Sequence, residues 1–406
     1  TYTDLAGNNG PDNETENYEV DTRAPTVSVA ISGAATEGRL TYESGSYGFL
    51  NEGDNVSVTA TFSERVIVES GTPTLPLVVG SDNRTATYTS GDNSTALVFR
   101  YTIQAGDNDS NGISILGNTL ALNSSTIKDA ALNNAILTHS EVSDNNGYIV
   151  DTTPPTVSSV AITSATNKQY SLVNATDVVL VTATFSETPI SAVIVESGTA
   201  TLTLVVGSAN RTATLHSGSS TIVSGSDNAS LVFQYTIQAT GTSGENDDDG
   251  ISIGANALNS NSITIRDAAG NIATDLTHSA VSDNTSYKVD TTALTVNSFT
   301  ISDTLLVVGD NATVDLVFSE PASFSSDDDI TVANGTLAAM TSSDNITWTG
   351  TFTPNANTEE DNNTLSLDNA SYTDLAGNTG PSATTANYEV ETKAPTGSFT
   401  FTDYHF

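Results

Sequence analysis

Three kinds of acidic side chain recur at fixed places in this chain, and together they have the chemistry to hold a divalent cation. A Glu closes the phrase Phe-Ser-Glu at Glu64, Glu187 and Glu320. An Asp opens a turn of the type Asp-x-Ala-Gly-Asn at Asp129, Asp267 and Asp374, and an acid stands in a closing phrase at Asp151, Asp290 and Glu391. Asp4 and Asp21 repeat the turn and the closing phrase ahead of the first full set. Carboxylates gathered without a counterion repel one another, whereas calcium takes about six to eight oxygens at about 2.3–2.6 Å in tolerant geometry. The Gly allows a left-handed turn, and the Asn can follow it or offer its own oxygen. The competing reading is an Asx turn, in which each Asp caps its own backbone and each Glu is solvated.

A second constellation lies in "DNDSNG", where Asp107, Asp109 and Asn111 precede Gly112, and in "ENDDDG", where Glu245, Asp247 and Asp249 precede Gly250. Oxygens at alternate positions followed by Gly make the first half of a calcium loop. An EF-hand is excluded, because no Glu stands at the twelfth place and no helix flanks the loop. An acidic hairpin is the alternative.

Other chemistry finds little support. His139 and His278 sit in the repeated "LTHS" ahead of "VSDN", but neither a nucleophile elbow nor HExxH accompanies them, so the expectation is a protein that is not an enzyme. With 48 acidic residues against 11 basic the net charge is −37, which repels nucleic acid and attracts divalent ions. Cys is absent, so disulfides and thiolate metal sites are excluded. No apolar run has the roughly 18 residues of a membrane-spanning helix. Asn-x-Ser/Thr sequons recur at Asn55, Asn174 and Asn311 and at Asn83 and Asn210, as candidate glycan acceptors.

Internal repeats define the elements that must position these residues. "NVSVTATFSE" (55–64) returns as "VVLVTATFSE" (178–187) and, more loosely, as "NATVDLVFSE" (311–320). The closing phrase appears as "YEVDTRAPT", "YIVDTTPPT", "YKVDTTALT" and "YEVETKAPT". The expected division is the tail of a unit at 1–22, full units at 23–151, 152–290 and a shorter 291–391, and the start of a further unit at 392–406, as in a window cut from a longer array. A rival expectation has the terminal strands completing a neighbouring subunit. Val56, Val58, Ala60 and Phe62 alternate with Ser57, Thr59 and Thr61, the period of a half-buried strand. Short strands between Gly, Asn and Asp turns, in units of this size, predict an all-β chain of antiparallel β-sandwiches, with Trp348 in one core.

The combination of "FSE", "DAAGN" and "VDTTPPT" resembles the bacterial immunoglobulin-like tandem repeats of large cell-surface proteins, some of them archaeal surface-layer or filament subunits. The resemblance implies an extended array of Ig-like sandwiches outside the cell, often calcium-dependent, touching neighbouring repeats or copies of itself. Three roles follow as expectations: a calcium-stiffened stalk or adhesive fibre, a surface-layer or filament subunit, and an adhesin module that reads cell-surface glycans. This sequence departs from the pattern at "DAALNN", with Leu132 where the other turns carry Gly, and at Glu391, which replaces Asp.

Overall fold

The computed structural model describes residues 2–10, 16, 18–35, 48–186, 193–195, 200–217, 229–239, 245–262, 264–369 and 371–400. Among the described residues strand accounts for 47% and helix for 2%. The predicted alternation sets which side chains go inward. In the strand Val178–Phe185, Val179, Val181, Ala183 and Phe185 are buried, and Asn55–Glu69 buries Val56, Val58, Ala60 and Phe62 in the same rhythm. Removing such apolar faces from water stabilises each layer by about 25 cal/mol per Å².

Three separate cores result. One gathers Val58, Leu75, Leu97 and Phe99, the second Val181, Leu202, Leu231 and Phe233, and the third Leu316, Phe318, Phe352 and Tyr388. The first two are built on the same plan. The main sheet of the first runs Val27–Ala35, Asn55–Glu69, Ser94–Thr102, Asp82–Ser90, Thr74–Val79. That of the second runs Val157–Ala165, Val178–Phe185, Ser230–Thr236, Ala209–Leu215, Thr201–Val206, with Leu258–Asn259 at its edge. The register agrees too, since Val58 faces Phe99 and Val181 faces Phe233. The third unit is smaller, with a four-stranded sheet of Val296–Ile301, Ala312–Phe318, Thr347–Pro354 and Gly335–Leu337. Trp348 is half-buried at the margin of that core, edge-on to Phe324 at 5.0 Å, rather than inside it. Its indole N–H has found the carbonyl of Asn345, which ties the ring to the surface turn.

One device brings the acids together. The strand Asn55–Glu69 pairs with Ser94–Thr102, with a break in register between Thr61 and Val66, which is opposite Ser94, and then pairs with Thr126–Lys128. Glu64 lies in that irregular stretch, and Lys128, opposite Ile67, immediately precedes Asp129. The other units repeat the crossing through Val195 opposite Ile265 and through Ala322 opposite Asp374. A break of this kind re-aims a side chain out of the alternation, which is why a Glu can end a core strand without entering the core.

Candidate metal centre at the joints between units

The closing phrase is stapled to the Phe-Ser-Glu strand of the unit it enters. Ser63 N–H donates to the carbonyl of Thr26 at 2.8 Å while the amide of Thr26 donates to Ser63 Oγ at 3.0 Å. The same reciprocal pair joins Ser186 to Thr156 and Ser319 to Thr295. The Ser of "FSE" and the last Thr of "VDTTPPT" are therefore a matched pair, and their contact carries the linker acid, five residues earlier, toward the Glu.

Carboxylate oxygens of Asp290, Glu320 and Asp374 all lie within 4.8 Å of one another, as do those of Asp21, Glu64 and Asp129. Oxygens bound to one calcium at about 2.4 Å can stand no more than about 4.8 Å apart, so both sets fit the ion. The grouping corrects one expectation. The linker acid in each cluster comes from the preceding unit, so Glu64 and Asp129 meet Asp21 rather than Asp151, and Glu320 and Asp374 meet Asp290 rather than Glu391. Chain direction explains this, because the acid that ends one unit is delivered to the entry pole of the next. At the middle joint Asp151 and Asp267 come near enough to interact electrostatically; Glu187 lies outside the described residues. Glu391 is exposed, and Asp4 sits in an exposed turn.

The Asx reading holds as well, and it does not compete with the cluster. Asp129 Oδ1 accepts the amide of Asn133 at 2.8 Å and its Oδ2 accepts Asn133 Nδ2 at 2.8 Å. Asp267 with Asn271 and Asp374 with Asn378 do the same. Asp374 Oδ1 also accepts the amide of Ala376 at 2.8 Å, so the lone pair left for a cation is on Oδ2. The Asn Nδ2 reaches across the joint to a backbone carbonyl, Asn133 to Asp21 at 3.2 Å, Asn271 to Asp151 at 2.9 Å and Asn378 to Asp290 at 3.0 Å. The Gly before it is left-handed, φ +96° at Gly270 and +95° at Gly377. Leu132 takes that role in the first unit at φ +72°.

The charges feel one another. Burial pushes the Asp267 carboxyl up to about 6, with the charge of Asp151 adding to it against the hydrogen bonds of Asn271. Desolvation, then Asp290 and Asp374, raise Glu320. Asp290 is raised by burial and by Asp374, and Glu64 by desolvation, Asp21 and Asp129. Asp129 goes the other way: against its desolvation, the hydrogen bonds of Asn133 hold it below the ordinary value.

The second constellation does a different job from the half calcium loop it resembles. Asp107 is buried with Arg84 Nε at 2.6 Å, Tyr101 Oη at 2.5 Å and the Gln104 amide at 2.9 Å. Glu245 takes the same partners in the second unit, Arg211, Tyr235 and the Gln238 amide. Asp109 accepts the amides of Gly80 and Gly112, and Asp247 those of Gly207 and Gly250. Burial, and Asp249 beside it, push Asp247 up. Asn111 is exposed and donates to Asp144. The inward acids converge on protein donors rather than on a common point, and among the described residues they form no third cluster. What the loop does is hold the linker. Asn108 Oδ1 accepts the amide of Thr152 at 2.9 Å, and Asn246 Oδ1 that of Thr291 at 2.8 Å, one residue past Asp151 and Asp290.

The repeated "NRT" at Asn83 and Asn210 now has a structural reason in Arg84 and Arg211, and both Asn remain exposed. Asn311 is also exposed, Asn55 is half-buried in its strand, and Asn174 faces Gly377 across a joint. His139 and His278 fasten loops. His139 Nε2 accepts from the Thr119 amide at 3.0 Å, and His278 Nε2 from that of Ala257 at 2.8 Å.

Residues 290–390 match the family model of the bacterial Ig-like domain. No curated protein matches the chain. Among solved structures, the Escherichia coli adhesin FdeC aligns over 91% of this chain and 99% of its own, at 10% identity and a TM-score of 0.30. An I-band fragment of titin aligns over 85% and 95%, at 7% identity and a TM-score of 0.25. The third unit thus matches the bacterial Ig-like domain, and its phrases, staples and turns recur in the first two units.

Proposed function

We propose that this chain is part of an extracellular structural protein, a cell-surface adhesin or fibre whose Ig-like units are coupled by calcium at their joints. The observation that carries the reading is the cluster of Asp290, Glu320 and Asp374, in which one ligand comes from the unit before the joint and two from the unit after it. A cation there cancels repulsion among carboxylates that burial and mutual charge already make uncomfortable, and it ties two units through one set of bonds. With free ion at 100 times the dissociation constant, one such site stabilises the joined state by about 2.7 kcal/mol. The surplus of acid over base draws cations toward every joint. No helix among the described residues is long and apolar enough to cross a membrane.

Calorimetric calcium titration of the whole chain, with small-angle scattering in calcium and in EDTA, tests the reading. Saturable binding with stiffening of the particle supports it, and loss of one site in Asp374→Ala assigns that site. Heat traces without saturation, with scattering curves that superimpose in calcium and EDTA, overturn it.

A further inference from the structure

The middle joint, between the first and second units, and the Asp290 joint, between the second and third, share one plan. A short parallel pair ends each unit, and strand alternation sends one pair of its side chains into the unit's own core and the other toward the next unit. At the middle joint Leu50 and Val150 go into the core. Phe49 and Ile149 pack instead on Ala268 and Ala269 of the second unit's turn, and all four are buried. Of the four clusters of buried apolar side chains among the described residues, this one alone draws on two units. Both joints keep the Ser–Thr staple and the Asn bridge, so the apolar seal is what distinguishes them.

At the Asp290 joint the same strands send Val173 and Val289 inward. The outward places hold Leu172 and Lys288, and the third unit's turn brings Leu375 and Ala376 where the second unit's brings Ala268 and Ala269. Leu172, Lys288 and Leu375 are left half-buried, and of the four only Ala376 is buried. A lysine stem covers apolar surface only while its ammonium reaches water, so this contact stays open to solvent. What the joint has in place of a seal is charge, with oxygens of Asp290, Glu320 and Asp374 converging within 4.8 Å. The middle joint also sets Asp151 against Asp267, but there apolar burial opposes the repulsion and needs no ion.

We propose that the two joints answer differently to the cation: the middle joint is held closed by its apolar seal with or without an ion, whereas the Asp290 joint is rigid only while its carboxylates hold one. Removing calcium then leaves the first two units as one stiff body hinged to the third. Stiffness is lost at one defined place and not along the whole chain. The proposal deepens the calcium reading and rests on it at the Asp290 joint; at the middle joint it stands on apolar burial alone.

The test is pulsed dipolar spin-label spectroscopy on the whole chain, which has no Cys of its own. Exposed threonines carry the labels: Thr87→Cys with Thr212→Cys spans the middle joint, and Thr212→Cys with Thr349→Cys spans the Asp290 joint. Each pair is measured in calcium and in EDTA, with calorimetry of calcium binding on the same samples. The expected result is a narrow distance distribution for the first pair in both conditions, and one for the second pair that is narrow in calcium and severalfold broader in EDTA. Ile149→Lys gives the middle joint the residue of the other, and Ala269→Gln spoils the seal from the opposite unit; each should broaden the first pair in EDTA. Both positions lie outside the units' own core clusters, so far-ultraviolet circular dichroism should not change. A first pair that broadens in EDTA as the second does, a second pair equally narrow in both conditions, or seal variants that leave the first pair narrow overturns the proposal, while saturable binding in the calorimeter keeps the calcium reading. Calorimetry without saturable binding overturns that reading itself, and the Asp290 half of the proposal with it.

Discussion

Asn378 Nδ2 stands 3.0 Å from the carbonyl oxygen of Asp290, and 2.8 Å from Oδ2 of its own turn's Asp374. One side-chain amide thus ties the ligand-bearing turn of one unit to the last residue of the unit before it. The same bridge recurs at Asn271 and Asn133, so it belongs to the joint and not to one local sequence.

Replacing Asn378 by Ala removes both donated bonds and leaves a buried carboxylate under-satisfied, at a cost of about 1–3 kcal/mol. The third unit should melt earlier while the other two transitions stay in place. Hydrogen exchange should show the linker amides at Asp290 to Thr292 losing protection. Unchanged exchange there would mean that the bridge holds nothing.

Leu132 offers the opposite kind of test. It occupies the left-handed position that Gly270 and Gly377 fill in the other units, at φ +72°, with its side chain exposed by 68%. A non-Gly residue in that region is strained by about 1–2 kcal/mol. Glycine costs roughly 0.5–1 kcal/mol more in unfolded-state entropy. The net expectation for Leu132→Gly is stabilisation of the first unit by about 0.5–1 kcal/mol, read by calorimetry as a rise of a few degrees.

Acidity should stabilise the metal-free middle joint. With its folded value raised to about 6 from an ordinary 3.8, Asp267 binds its proton more tightly in the folded state. Stability is therefore gained as pH falls from above 6 toward 4, and the penalty on the ionised form at neutral pH is on the order of 3 kcal/mol. In EDTA the second unit should melt higher at pH 5 than at pH 7.5, and Asp267→Asn should flatten that difference. Calcium should flatten it as well, by stabilising the ionised form at the upper end. A profile falling toward acid in EDTA would contradict the geometry.

Arg84 and Asp107 make a further separable prediction. Arg84→Ala strips the main cation from a fully buried carboxylate, and the first unit should lose ~3 kcal/mol. Asp107→Asn in the same chain should recover part of the loss, because the uncompensated charge is gone. Measured as a double-mutant cycle by urea unfolding, the two changes should couple strongly.

The strands and their inward residues were legible because alternation is local: Val56, Val58, Ala60 and Phe62 announce their face within eight residues. Recurrence also picked out the acids of the joints. It could not say which linker acid joins which Glu, since Asp290 is written at the end of one unit and acts at the start of the next. Nor could it separate Asp107 from a ligand, because the residue that claims it, Arg84, is 23 positions away across a sheet. The Ser of "FSE" and the Asn of the turn were conspicuous as repeats, yet their work is hydrogen bonding to a backbone whose path had to be known first.

The short parallel pairs bear on how such a chain takes a load. Ile149 N–H donates to the Gly48 carbonyl and Asp151 N–H to that of Leu50, and the strand they belong to runs directly into the linker. Lys288 and Asp290 repeat the arrangement on Ser171 and Val173. A pull on the linker drags that strand along its parallel neighbour, so the rungs are sheared together instead of being unzipped one after another. These rungs, placed where tension enters, make the exit strand the element that must slip before the sandwich behind it can extend.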